Sequence, residues 1–229
     1  MKHEIRHQPA FPLVAITLEV GDVVTAEAGA MATRSSNVSM RTRMNAGRSP
    51  GLFARIRAFF VAFVRKLVGG ETFFVNDFSA DGRGEVTFAP PLSGHIVHRR
   101  LHGDRLILQS GAFLACAGEV DMRLRWGGLR ALFSREGLFL LELSGHGDLW
   151  FSAYGGIQAI KVDGTFVVDT GHFVGFDGEL DFKLRSAGGG VLGFVASGEG
   201  LVCEFQGKGI VYVQTRNESA LASWLGSYG

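Results

Sequence analysis

One pattern of 23 residues occurs three times in this chain without a gap. Gly21 to Arg43 reads GDVVTAEAGAMATRSSNVSMRTR, Gly103 to Arg125 reads GDRLILQSGAFLACAGEVDMRLR, and Asp163 to Arg185 reads DGTFVVDTGHFVGFDGELDFKLR. The first two agree at 8 of the 23 positions and the last two at 7, and most other apolar positions are matched. Repetition of this kind means that one supersecondary unit is used several times. Each copy opens on an apolar run, reaches a central glycine (Gly29, Gly111 or Gly171) and closes on an alternating segment. In the second copy Val120, Met122 and Leu124 alternate with Glu119, Asp121, Arg123 and Arg125, the period of two that marks a half-buried strand. The three glycines are expected to act as structural turns of one shared backbone conformation.

A second element follows each copy. It carries Gly82-Arg83-Gly84, Gly145-His146-Gly147 or Gly207-Lys208-Gly209, each read as a tight hairpin leading into another strand. The expected fold class is all-β. Three tandem β-sandwich-like repeats, at about 1–89, 90–153 and 154–229, make one domain, packed around a pseudo-threefold axis or in a linear array. Abundant glycine, 33 residues against 5 prolines, suits many turns between strands. One insertion breaks the pattern. Leu52, Phe53, Ile56, Phe59, Phe60, Phe63, Val64 and Leu67 recur at helical spacing, which predicts an amphipathic helix over about 51–68, stopped by Gly69-Gly70. A short C-terminal helix is predicted over Glu218–Leu225.

Charge narrows the function. The net charge is +1, so no overall field steers the chain to polyanions. Yet Ala28 to Gly70 contains no acidic residue and carries Arg34, Arg41, Arg43, Arg48, Arg55, Arg57, Arg65 and Lys66, which is +8; the remainder is therefore −7 (+1 minus +8). Cys116 and Cys203 lie in apolar runs, as buried free thiols of a reducing compartment do. The N-terminus lacks the apolar core of a signal peptide, and a cytoplasmic location, peripheral at a membrane if the helix binds lipid, is the simplest expectation.

AEAGAM at Ala26 to Met31, LQSGAFLA at Leu108 to Ala115, GLFLLELSGHGDLWFSAYG at Gly137 to Gly155, VDTGH at Val168 to His172 and GEGLVCEFQGKGIVYVQTR at Gly198 to Arg216 resemble the altered-inheritance-of-mitochondria family, number twenty-four of that series. The resemblance runs in order along nearly the whole chain. It implies a fold similar to the tryptophan RNA-binding attenuator protein, with tandem β-sandwich units. It also implies a link to inner-membrane organisation, from the fungal mitochondrial member, and it brings no catalytic motif.

Candidate sites follow from the repeats. Arg41, Arg123 and Lys183 are equivalent, as are Arg43, Arg125 and Arg185, and as are the tips Arg83, His146 and Lys208. Such cations could ring a phosphate. Alternatively they form solvated cross-strand ion pairs, as Asp121 and Asp181 suggest. Glu27, Gln109 and Asp169 share the position before the central glycine, where a side chain serves its own turn or converges with the others on an axis. His172 is the ionisable outlier after it. His95, His98 and His102 have metal-like spacing, but on a strand His95 and His98 point apart. Phe59, Phe60 and Phe63, flanked by Arg55, Arg57, Arg65 and Lys66, suit either an anionic membrane surface or a packed interface. No nucleophile elbow, phosphate-binding loop or matched Cys/His pair occurs. The expected function is a non-enzymatic binding or scaffolding protein with no cofactor and no metal. Its expected partner is a protein or an anionic membrane, and homo-oligomers are allowed. An RNA- or polyanion-binding role and an enzyme site at repeat junctions are the alternatives, and nucleic acid is disfavoured by the near-zero net charge.

Overall fold

The apolar runs become strands wherever β-branched and aromatic side chains can be covered on at least one face. The structure, a computed structural model, describes residues 1–44, 74–126, 139–187 and 201–227. The first third holds β1 (Lys2–Arg6), β2 (Leu13–Leu18), β3 (Val23–Glu27), β4 (Met31–Arg34), β5 (Val38–Met44), β6 (Phe74–Ala80) and β7 (Gly84–Phe88). The rest holds β8 (Gly94–Gln109), β9 (Phe113–Trp126), β10 (Phe139–Tyr154), β11 (Ile157–Asp169), β12 (Phe173–Ser186) and β13 (Leu201–Gln214). Helix α1 (Glu218–Gly226) follows, as predicted, with the Asn217 side chain accepting from the Ala220 N–H at 3.1 Å as its N-cap. The helix predicted over 51–68, with Phe59, Phe60, Phe63, Arg55, Arg57, Arg65 and Lys66, lies outside the described residues.

Two antiparallel sheets result. One has the order β1-β2-β7-β4, the other β11-β13-β12-β8-β10-β9-β3-β6-β5. In the large sheet β13 lies between β11 and β12, β10 between β8 and β9, and β6 between β3 and β5. Short ladders join these triplets: Val24, Thr25 and Ala26 face Ala117, Cys116 and Ala115, and Leu106, Ile107 and Leu108 face Asp177, Phe176 and Gly175.

Three apolar clusters follow the chain. The first gathers Val14, Ile16, Phe78, Phe88 and Trp150; the second Leu106, Phe113, Leu141, Leu149 and Phe151; the third Phe173, Phe176, Leu180, Phe205 and Val211. In the third, Phe173, Phe176, Phe182 and Phe205 bring their ring centroids to between 5.2 and 6.2 Å of one another. Each fully buried Phe contributes about 2 kcal/mol of apolar burial. β10 is covered on both faces over Leu149–Ala153, so its sequence there is continuously buried and does not alternate.

Two expectations fail. The glycine pairs at 145–147 and 207–209 are not hairpins: β10 and β13 run straight through them with their ladders continuing on both sides. These glycines let strands approach. A Cβ on Gly145 would sit 2.2 Å from the Glu119 carbonyl oxygen, and one on Gly207 would sit 2.2 Å from that of Glu179. Their φ values, 120° and 128°, suit glycine alone. The sequence cue for a reversal was thus the cue for a kink inside a strand. Only the 82–84 element separates two strands, β6 and β7, and these lie in different sheets.

Nor do the three central glycines share a conformation. Gly29 has φ of 93°, whereas Gly111 and Gly171 sit without positive φ in 3₁₀ turns, Ser110–Ala112 and Thr170–His172. Those two turns do match, since Gln109 and Asp169 ahead of them have the same φ of −60° and ψ of 138°. Their surroundings differ. A Cβ on Gly111 meets nothing within 4 Å, while one on Gly171 would press to 2.1 Å on Asn217 Nδ2. Gly171→Ala therefore displaces the N-cap of α1 and costs about 1–2 kcal/mol. Gly111→Ala stays within about 0.5 kcal/mol of wild type. Urea unfolding of the two variants checks this contrast.

Candidate functional site

Of the cations that the repeats single out, those at 41, 43, 123, 125, 183 and 185 lie on strands β5, β9 and β12, each opposite a carboxylate or an apolar residue, while Arg83 precedes β7, His146 lies on β10 and Lys208 on β13. Register places Arg41 across from Asp77, Arg123 from Glu142 and Lys183 from Glu204. Arg43 pairs with Asp77 at 2.6 Å, Arg123 with Asp121 at 3.3 Å, Arg185 with Glu204 at 3.0 Å and Lys208 with Asp163 at 3.2 Å. Arg83 is 3.8 Å from Glu19. The Arg125 side chain lies outside the described residues, and His146, at the second tip, is exposed. Phosphate binding would have to displace these carboxylates. As exposed pairs they contribute about 0–1 kcal/mol each. Asp77 is held further by Thr25, whose Oγ1 donates to it at 2.6 Å.

Of the residues ahead of the central glycines, Asp169 serves its own turn. Asp169 accepts from the Gly171 N–H at 2.8 Å, the turn role expected of it, while Gln109 makes no such bond. His172 Nδ1 lies 2.8 Å from the Gln214 carbonyl oxygen. Glu27 ends β3 opposite Val75. Beside the Gln109 turn is a cavity of about 60 Å³, lined by Pro90, Leu92, Gln109, Tyr154, Val174 and Gln214 among others. That is room for a few waters, well below the roughly 300–1,000 Å³ of a small-molecule site.

The three histidines of β8 part company, as a strand demands. His95 Nδ1 is 3.0 Å from the Gly155 carbonyl oxygen, His98 Nε2 is 2.8 Å from Asp148 Oδ1, and His102 is exposed. His98 belongs to a group the sequence did not reveal. The His3 ring of β1 lies 4.1 Å from it and 5.2 Å from Trp150, edge to face. Burial first, and His98 second, hold His3 below the usual histidine value. The group ties the small sheet to the large one. Among the described residues no set of three His, Cys, Asp or Glu side chains is arranged to hold a metal ion.

A second group spans the β8–β12 seam. Arg99 donates to Asp177 and to the Tyr212 hydroxyl (3.1 Å), and pairs with Asp104 at 2.5 Å. Asp177 also accepts from the Ile210 N–H at 3.2 Å. Burial opposes ionisation of Asp104, but the His102 N–H at 2.8 Å and the Arg99 guanidinium outweigh it and keep this carboxyl below its usual value. The thiols are inert: burial pushes Cys116 up to about 12 and Cys203 higher still.

The family model described as "Mitochondrial biogenesis AIM24" matches residues 3–216, and the chain belongs to that family. It is 33% identical to an uncharacterized protein of Streptococcus pyogenes serotype M6, over all of this chain and 91% of that one. The crystal structure of a Streptococcus pyogenes protein superposes with a TM-score of 0.81 at 30% identity, covering all of this chain and 99% of the other. No helix of the described residues is long and apolar enough to cross a membrane.

Two outcomes test these networks. Asp177→Ala removes one of the two carboxylates that hold half-buried Arg99, leaves Asp104, and costs about 1–3 kcal/mol, whereas Arg123→Ala changes stability by less than about 0.5 kcal/mol; both are read by chemical denaturation. His3 binds a proton less readily folded than unfolded. The unfolded chain therefore takes up protons first as pH falls below the ordinary histidine value of 6.5, and stability declines through that window until the folded value is passed. Thermal melts between pH 7.5 and 5.5 show a smaller decline for His3→Gln than for wild type.

Proposed function

We propose that this chain is a non-enzymatic binding or scaffolding protein, built from three copies of one three-stranded unit, whose working surface is sheet and not pocket. The observation that carries the reading is the likeness of the two junctions. In the aligned repeats, Val24, Thr25 and Ala26 correspond to Leu106, Ile107 and Leu108, and Ala115, Cys116 and Ala117 to Gly175, Phe176 and Asp177. The same positions pair in the same register at both seams. A chain that repeats its joints builds extent, and extent suits assembly. The chemically capable side chains support this reading, because His98, Asp148, Arg99, Asp177 and Tyr212 are engaged in joining strands.

The partner is a protein or an anionic membrane surface, and the location is cytoplasmic and peripheral. The basic, Phe-rich stretch around Phe60 suits either an anionic lipid surface or a packed protein interface on sequence grounds, and the carboxylates beside the exposed cations of the sheet weigh against RNA. Flotation on vesicles of phosphatidylcholine with phosphatidylserine tests the membrane arm. Wild type is expected to float at low salt, and Phe60→Glu to lose about tenfold in recovery. Wild type that stays in the soluble fraction leaves the protein arm, tested by cross-linking in the native host. A catalysed reaction abolished by His98→Gln in a folded variant overturns the non-enzymatic reading.

A further inference from the structure

The two seams have a third counterpart that the chain does not close. By the shared register, Phe166, Val167 and Val168 of β11 should face Ser35, Arg34 and Thr33 at the start of the 31–44 segment. Instead β11 pairs only with β13, and β4 only with β7, among the described residues. Exposure records the difference. Val24 to Ala26 and Leu106 to Leu108 are buried throughout, and so are Ala115 to Ala117. Val167 is 51% exposed, and Ala32, Thr33 and Arg34 are all exposed. β11, at one end of the large sheet, and β4, at the edge of the small sheet, thus each present half of a seam that the chain makes twice internally.

A bare edge normally carries charge to discourage pairing. β5, the other end of the large sheet, carries exposed Arg41 and Arg43. β11 carries Lys161 and Asp163 in its middle, the latter paired with Lys208. Its last turn-proximal residues, Phe166-Val167-Val168, carry none. The unguarded stretch coincides with the stretch that the seam register selects.

We propose that a second copy of this chain completes the third seam, its β4 adding head to tail to the outer edge of β11. The inference rests on the three-copy reading above. Such a contact is heterologous, since each copy keeps one free edge, and it therefore grows into a ring or an open filament. Backbone pairing supplies the attraction, and exposed Val167 and half-buried Phe166 gain the cover that Val168 and their counterparts already have.

Light scattering after size exclusion, over about 1 to 100 μM protein, tests it. Wild type is expected to form multiples of the chain mass that increase with concentration. Val167→Arg sets like charges against the partner's Arg34 and weakens association about tenfold, and adding Arg34→Glu to the same chain restores it. Val167→Glu, facing Arg34, strengthens it. Both positions are exposed, so melting temperature verifies the fold of each variant, and Val167→Glu provides a second reading if Val167→Arg does not fold. A chain that stays monomeric overturns the proposal. So does association weakened alike by Val167→Arg and Val167→Glu with no rescue by Arg34→Glu, the mark of β11 pairing with itself. Vesicle flotation depends on residues around Phe60, so its failure and the failure of this seam are separately visible.

Discussion

Two ladders of three residue pairs hold the large sheet together. Remove them and it parts into three-stranded pieces, each close to the smallest sheet that is stable alone. Close approach is what makes them work. Gly175 faces Leu108 across one seam, and a Cβ there would stand 2.6 Å from the Ile107 carbonyl oxygen. Ala115 and Ala26 face each other across the other seam. Small residues bring backbones within bonding reach, and the polar groups then fasten the joints from outside. Arg99 and Asp177 bind β8 to β12, while Thr25 and Arg43 close on Asp77 beside β3.

The same allocation explains the chemistry of the surface. Arg99 and Asp177 meet in a half-buried setting and give geometry as well as energy. The exposed pairs of β5, β9 and β12 give little energy but keep the flanks of the strands soluble and mutually neutral. His3 and His98 belong to neither kind. Their rings pack at tilted and edge-on angles against Trp150, whose indole N–H finds no acceptor among the described residues, so this link between the two sheets, like the apolar cluster beside it, is side-chain packing and not a ladder.

The all-β class, the alternating strands and α1 were legible because they depend on local pattern. Val120 and Met122 alternate wherever they are, and Asn217 caps whatever helix follows it. The glycines were misread because sequence shows permission for positive φ and not its use. At Gly145 that permission serves a kink beneath the Glu119 carbonyl, a fact held by a strand 26 residues away. The His3 group and the Arg99 network were invisible for a similar reason. His3 and Trp150 are separated by most of the chain, and Arg99 and Asp177 by 78 positions. The cation alignment did not name the carboxylates beside those cations, since Asp77 and Glu204 lie on the neighbouring strands β6 and β13.

The unequal ladders also have a mechanical side. β13 is paired with β11 along thirteen residue pairs, and with β12 along another thirteen. Each seam has three. Under tension the array should therefore yield at its seams while the triplets stay folded. A chain tethered at both ends would lengthen in a few discrete steps and recover its joints on release, a spring whose coils are the triplets.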